Sequence, residues 1–363
     1  MGSKYPSALV AVVLLSLLIM LLMQTAEGLT EAVQNQTAAI APALIVFGDS
    51  IVDPGNNNVI ETMIKCNFPP YGQDFLNHQP TGRFSNGKVP SDLLVSELGI
   101  KEYLPAYLGT DLSADDLLTG VSFASGGCGY DPLTAQLVSA ISMDDQLDHF
   151  KEYMEKLKAI AGEERAAFII AESKYMVVTG SDDLANTYFT AQIRKEQYDL
   201  PSYINFLVRS ASSFFQELYE LGARKIDVLG VPPIGCLPSQ RTLAGGIERE
   251  CVPLYNAAAN MLNGELSVEL QRLTSTSPGS RMRYIDIYTP LFDIISRPSA
   301  YGFVEYARGC CGTGTFEVTM TCNSLTTTIC EDVYEYVFWD SYHPTERTYK
   351  ILISQLLQRY GKA

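Results

Sequence analysis

Histidine is scarce in this chain. His78, His149 and His343 are its only three, so a mechanism that needs an imidazole base has few places to look. Basic residues are also few: 26 Lys and Arg stand against 41 Asp and Glu. The formal charge of -15 leaves no cationic surplus to neutralise phosphates, which argues against nucleic acid or an anionic membrane surface as a partner. There is no G-x-x-x-x-G-K-[ST] pattern, so a nucleotide-phosphate loop is not expected. There is no Cys-x-x-Cys pair and no histidine among the clustered cysteines, so no zinc site is expected either. Beyond residue 28 no apolar run is long enough to span a bilayer. Neither an internal repeat nor a linker of biased composition divides the chain, and one domain is expected over residues 29–363.

The first 28 residues read as a signal peptide. Lys4 gives a positive start, Leu9 to Met23 is apolar apart from Ser16, and Thr25-Ala26-Glu27-Gly28 offers small residues for cleavage. A run of about 15 apolar residues falls short of the roughly 20 that a spanning helix needs. All eight cysteines follow this segment, and an even count in an exported chain predicts disulfides. Cys236 with Cys251, and pairing within the group Cys310, Cys311, Cys322 and Cys330, are the expected staples. Asn35-Gln36-Thr37 is a glycosylation sequon. The expectation is a secreted, extracellular glycoprotein without a stable membrane anchor.

Short apolar runs closed by glycine recur. Leu44 to Phe47 ends at Gly48-Asp49-Ser50, and Gly120 to Gly129 reads as a second strand running into a glycine-rich turn. Lys174 to Thr179 ends at Gly180-Ser181-Asp182-Asp183, with further runs at Lys225 to Gly230 and Arg281 to Ile287. Between them lie helical patterns at Pro90 to Leu98, Asp144 to Ile160, Glu163 to Glu172, Ser202 to Gly222 and Pro253 to Thr274, with a last helix from Thr345 to Tyr360. This alternation predicts an α/β fold with a parallel sheet of about five strands, covered on both faces. Pro54 to Ser91 reads as a long ordered loop, in which Arg83 is expected to form a structural salt bridge.

A serine hydroxyl is a weak nucleophile until a base takes its proton, and the base works best with a third group fixing its tautomer. Ser50 follows a buried strand, where open α/β sheets keep their chemistry. His343 alone among the histidines follows an apolar run and precedes a helix, with Asp340 three residues earlier. His149 is expected to face solvent within a charged helix, and His78 lies in the long loop. On spacing alone, Asp49-Ser50 and Asp340-His343 are also compatible with plain helix caps.

Phe47-Gly48-Asp49-Ser50, Gly120 to Gly129, Gly180-Ser181-Asp182-Asp183 and Asp340-Ser341-Tyr342-His343 resemble, in order and context, the blocks of the GDSL (SGNH) hydrolases. The resemblance is closest to the plant secreted GDSL esterase/lipases. It extends to Pro232-Pro233-Ile234-Gly235-Cys236, Gly309-Cys310-Cys311-Gly312 and Trp339 to Glu346. It implies a flavodoxin-like three-layer α/β/α fold and cleavage of acyl or lipid esters through an acyl-enzyme, with no metal or organic cofactor. Carried over by position, Ser50 is the nucleophile, His343 the base and then acid, and Asp340 its orienter. The implied oxyanion donors are the Ser50 and Gly126 amides and the side chain at 182, where the family has asparagine and this chain has Asp182. An acyltransferase with the same machinery, or a catalytically weakened glycoprotein, fits the same blocks. An ionised Asp182 opposes a developing oxyanion, so weakened hydrolysis or a lower working pH is expected.

Overall fold

Apolar five-residue runs form the centre of the molecule in a computed structural model that describes residues 40–325 and 327–361. The expected signal peptide and the Asn35 sequon lie outside the described residues. Strands β1 (Leu44–Gly48), β2 (Lys174–Val178), β3 (Lys225–Leu229) and β4 (Arg281–Ile285) are all parallel and adjacent in that order. Leu44, Lys174, Lys225 and Arg281 share one register row, so the carboxyl ends of the strands form a level rim.

The stretch expected as a second strand running into a glycine-rich turn, Gly120 to Gly129, forms no strand of the sheet. It is an extended segment lying along the free edge of β1, with Phe123 N–H donating to Val46 (2.8 Å) and Ser125 N–H to Gly48 (2.9 Å). The side-chain amide of Asn56 takes the carbonyls of Ser122 (2.9 Å) and Ala124 (2.8 Å), where a neighbouring strand would otherwise build on. Only one-residue bridges to Val46 and Ala106 remain. The chain leaves β1 to one side for this segment and to the other for β2. The crevice at the ends of β1 and β2 is therefore the point where a doubly wound sheet changes direction and ligands bind.

Alternation along the strands separates two faces. On one, Phe47 meets Phe123, Phe150 and Phe214 with centroids 5.2 to 5.6 Å apart. On the other, Met176, Leu229 and Ile285 face Leu94, Ile353 and Leu356. The main helices around the sheet are α1 (Pro90–Glu97), α2 (Met143–Ala161), α3 (Glu163–Glu172), α4 (Leu200–Glu220), α5 (Pro253–Thr276) and α6 (Glu346–Tyr360). Helices α2 and α4 supply Phe150 and Phe214, and α5 packs on α4. On the opposite face α6 packs on α1. The result is a three-layer α/β/α sandwich. No helix among the described residues is long and apolar enough to cross a membrane.

Helix α6 starts one residue later than expected. Thr345 caps it by accepting from Thr348 N–H, so Pro344 precedes the cap instead of occupying the first turn. Ahead of it lies a small parallel pair, β5 (Glu305–Gly309) and β6 (Tyr336–Phe338). Disulfides Cys310–Cys330 and Cys311–Cys322 knot the segment between them, and Cys236–Cys251 closes a third loop. These are the expected staples. Cys66 and Cys128 are buried free thiols, so the even count does not mean complete pairing.

Candidate active site

Gly48 ends β1 with φ 140, and a Cβ there would lie 2.0 Å from the Val178 carbonyl oxygen. Only glycine lets β1 and β2 approach so closely at their ends. Gln146 of α2 brackets that glycine, accepting from its N–H (2.9 Å) and donating to its carbonyl (3.0 Å). The next residue, Asp49, donates its N–H to Val178 O (2.9 Å) and accepts from Ile51 N–H (3.0 Å). This tight turn carries Ser50 to the rim, half-buried.

The imidazole arrives from the other end of the chain. His343 Nε2 lies 2.8 Å from Ser50 Oγ, and its Nδ1 lies 2.8 Å from Asp340 Oδ2 and 3.0 Å from Oδ1. A carboxylate only accepts, so Nδ1 carries the proton and Nε2 is left free to take one from Ser50. Asp340 is fully buried. It also accepts from the backbone N–H groups of Tyr342 (2.8 Å) and His343 (2.7 Å) and from the Tyr71 hydroxyl (2.7 Å). A buried charge needs such donors. Burial and the Asp340 charge push the Tyr71 hydroxyl well up, which keeps it a donor. Tyr71 in turn accepts from Thr319 N–H (2.8 Å), tying the site to the disulfide-bonded segment.

The other two histidines are elsewhere. His78 is exposed on a surface turn beside the Gln73 carbonyl. His149 is half-buried against the Tyr107 ring, centroids 5.8 Å apart, and not on the open face expected for it. Arg83 makes the expected structural ion pair, with two 2.7 Å bonds to Asp92.

The glycine turn requires a correction. Gly126 N–H, expected as an oxyanion donor, is bonded to Asp53 Oδ2 at 3.0 Å. Asp53 is fully buried and also takes the N–H groups of Gly55 and Asn56, both at 2.7 Å. It thus fixes the turn and uses up the Gly126 donor. The peptide after it is different: Gly127, at φ 89, lines the cavity beside Ser50 and His343. Its amide and that of Ser50 have no acceptor among the described residues. A turn with successive glycines gives no side-chain pattern from which to tell one peptide from the next.

Asp182 stays at the rim beside Ser50. Its carboxyl lines the cavities on both sides of Ser50 and accepts from Asn186 Nδ2 at 2.6 Å. The Tyr342 hydroxyl donates to Asn186 Oδ1, and Gln240 Nε2 donates to that hydroxyl at 3.0 Å. Burial raises Asp182 to about 6, and a protonated His343 pulls the other way. Beneath it, Asp49 is pushed well up by burial and by Asp182, and Asp183 is raised to about 7 by burial. Asp183 is spent on the fold, accepting from Tyr130 N–H, Asp131 N–H and the Thr134 hydroxyl. Asn186 has a faint sequence signal, one helical turn after Asp182. Tyr71 has none.

Two cavities meet at this rim, with Ser50, Asp182, Tyr342 and His343 lining both. The inner one, about 700 Å³ of empty space, runs under α6. The outer one, about 1040 Å³, opens past Gly127, Thr187 and Thr319.

Residues 44–356 match the family model of the GDSL-like Lipase/Acylhydrolase. GDSL esterase/lipase EXL3 of Arabidopsis thaliana is 55% identical over 329 residues, covering 91% of this chain and 90% of that relative. GDSL esterase/lipase At1g20120 of the same plant is 51% identical over 317 residues, covering 87% and 79%. With a family model spanning the whole sandwich and relatives of this similarity over nearly the full chain, the protein belongs to the GDSL lipase/acylhydrolase family and is a carboxylic ester hydrolase.

Proposed function

We propose that this chain is an exported serine esterase or lipase, a single hydrolase domain from residue 29 onward, that works through an acyl-enzyme at Ser50. The observation that carries the reading is the unbroken chain of short hydrogen bonds Ser50–His343–Asp340 at the junction of two cavities. His343 Nε2 takes the hydroxyl proton as Oγ bonds to the ester carbonyl carbon. The carbonyl oxygen becomes an oxyanion facing the amides of Ser50 and Gly127 and the side chain of Asp182. When the carbon–oxygen bond to the alcohol breaks, the Nε2 proton goes to the departing alkoxide. A water then gives a proton to Nε2 as its oxygen attacks the acyl carbon. Ser50 leaves and recovers that proton. Three disulfides suit an oxidising compartment and so support export.

A fluorophosphonate probe should label the native protein and leave Ser50→Ala unlabelled, with ester hydrolysis falling by roughly 10⁵ to 10⁶-fold in that variant. Undiminished hydrolysis in a folded Ser50→Ala protein would end the serine reading.

A further inference from the structure

The inner cavity does not stop beneath Ser50. It shares Leu229, Ile353 and Leu356 with a further cavity of about 420 Å³, which continues past Leu94 and Met176 to the Lys174–Asp227–Arg283 ion cluster. Leu229 ends β3 and Lys174 begins β2, so the path follows the sheet from one rim to the other. Four rises of about 3.3 Å across the five residues make this roughly 13 Å.

The walls change character along the way. Polar groups cluster at the Ser50 end, where Asp49 Oδ2 and the Tyr349 hydroxyl are buried without a partner. Beyond them, Leu352, Ile353 and Leu356 of α6 face Leu229 and Leu291, and these walls are hydrocarbon. The outer cavity is wider and more open, and Ile64, Phe84, Leu137 and Val138 border it together with Thr134, Thr187, Thr190 and Thr319.

An ester carbonyl held at Ser50 must send one substituent each way. The acyl group stays bound to the enzyme between the two half-reactions, while the alcohol must leave and water must enter. The narrow, enclosed path suits the first, and the wide, open cavity suits the second. We infer that the channel under α6 holds a linear, unbranched acyl chain of roughly a dozen carbons, an extended chain advancing about 1.2 Å per bond. The outer cavity receives the alcohol portion. This rests on Ser50 being the nucleophile.

The test uses p-nitrophenyl acetate, butyrate, octanoate and dodecanoate with the native protein, Ser50→Ala, Leu356→Trp and Leu356→Ala. Leu356 stands where the two inner cavities join, so tryptophan there blocks the path and alanine widens it. In the native protein kcat/KM should rise two- to four-fold per methylene buried, the upper figure being that of full transfer from water. The dodecanoate-to-butyrate ratio should fall at least tenfold in Leu356→Trp and not in Leu356→Ala. Free dodecanoate should also protect native Ser50 from a fluorophosphonate better than butyrate does, a measurement that needs no variant. A native profile that falls beyond butyrate, a Leu356→Trp loss equal at every length, or equal protection by the two acids would overturn the channel. In each of those cases, loss of hydrolysis in Ser50→Ala would leave the serine reading standing; its persistence there would remove both.

Discussion

The two halves of the site are held by different means. Ser50 rides on β1, whose five residues are all fully buried and bonded to β2 along their length. His343 rides on a turn after β6, a three-residue strand in a two-stranded sheet. What the base side lacks in sheet it makes up with cross-links. Cys310 N–H bonds to Phe338 O (3.0 Å), Cys311 N–H to Trp339 O (2.8 Å) and Ser341 N–H to Glu317 O (2.9 Å). Gly309 lies so near this turn that a Cβ would come 2.4 Å from the Asp340 carbonyl oxygen. The nucleophile is therefore positioned by ordinary packing, and the base by a segment locked by two disulfides.

The sharpest way to break the base side alone is Asp340→Asn. The amide would donate to Nδ1 and drive the proton to Nε2, which could then no longer accept from Ser50. With Ser50 and the sheet untouched, kcat should fall about 10⁴-fold while the melting temperature changes little. A loss below tenfold would mean that Asp340 does not set the tautomer.

A smaller effect, on stability, separates the two halves physically. Replacing both Cys311 and Cys322 by serine opens a loop of 11 residues, which is worth about 3 kcal/mol in the chain-entropy account. Because the crosslink lies beside the Asp340 turn and far from β2, activity should be lost on heating several degrees before the far-ultraviolet circular dichroism changes. Coincident midpoints would show that the halves unfold together and that the comparison is one of covalent bonds only.

The same contrast decides what could be read from residues alone. Strands β1 and β2 announce themselves because a nearly unbroken apolar run closed by glycine suits a strand buried on both faces, whereas β3 and β4, which carry Asp227, Arg281 and Arg283, are legible through their alternation with helices. The segment at Gly120 looks the same locally, and the Asn56 amide that takes the carbonyls on its outer edge lies more than sixty positions away. His343 stands out by scarcity, and Asp340 by its three-residue spacing from it. Tyr71, which holds the far side of Asp340, is separated from it by 269 positions and belongs to no periodic pattern. The shift of the free amide from Gly126 to Gly127 turns on which peptide Asp53 takes. Composition carries no trace of that choice.

Asp182 is the point where the halves touch, and its replacement should have the smallest effect and the most telling pH dependence. It follows β2, lines both cavities, and is raised to about 6 by burial. Below that pH the neutral acid can donate from the oxygen that Asn186 does not bind. Above it, a carboxylate faces the developing oxyanion, and like charges about 4 Å apart repel by roughly 4 kcal/mol at an effective dielectric near 20, less where the Asn186 amide draws off charge. Asp182→Asn should therefore leave kcat on a short-chain ester within about twofold at pH 5 and raise it several-fold at pH 8. Stability supplies a second readout. A carboxyl whose folded value is raised binds more protons folded than unfolded, so its ionisation destabilises the fold progressively as pH rises from its usual value near 4 to about 6. The asparagine variant should accordingly gain more in melting temperature at pH 7 than at pH 4. A variant-to-native kcat ratio that is flat from pH 5 to 8 would mean that ionisation of Asp182 does not bear on the oxyanion, and a ratio that falls below one as pH rises, in a folded protein, would mean that the ionised carboxylate helps catalysis. Its work would then be to stabilise the His343 cation, and the oxyanion would rest on the two backbone amides alone.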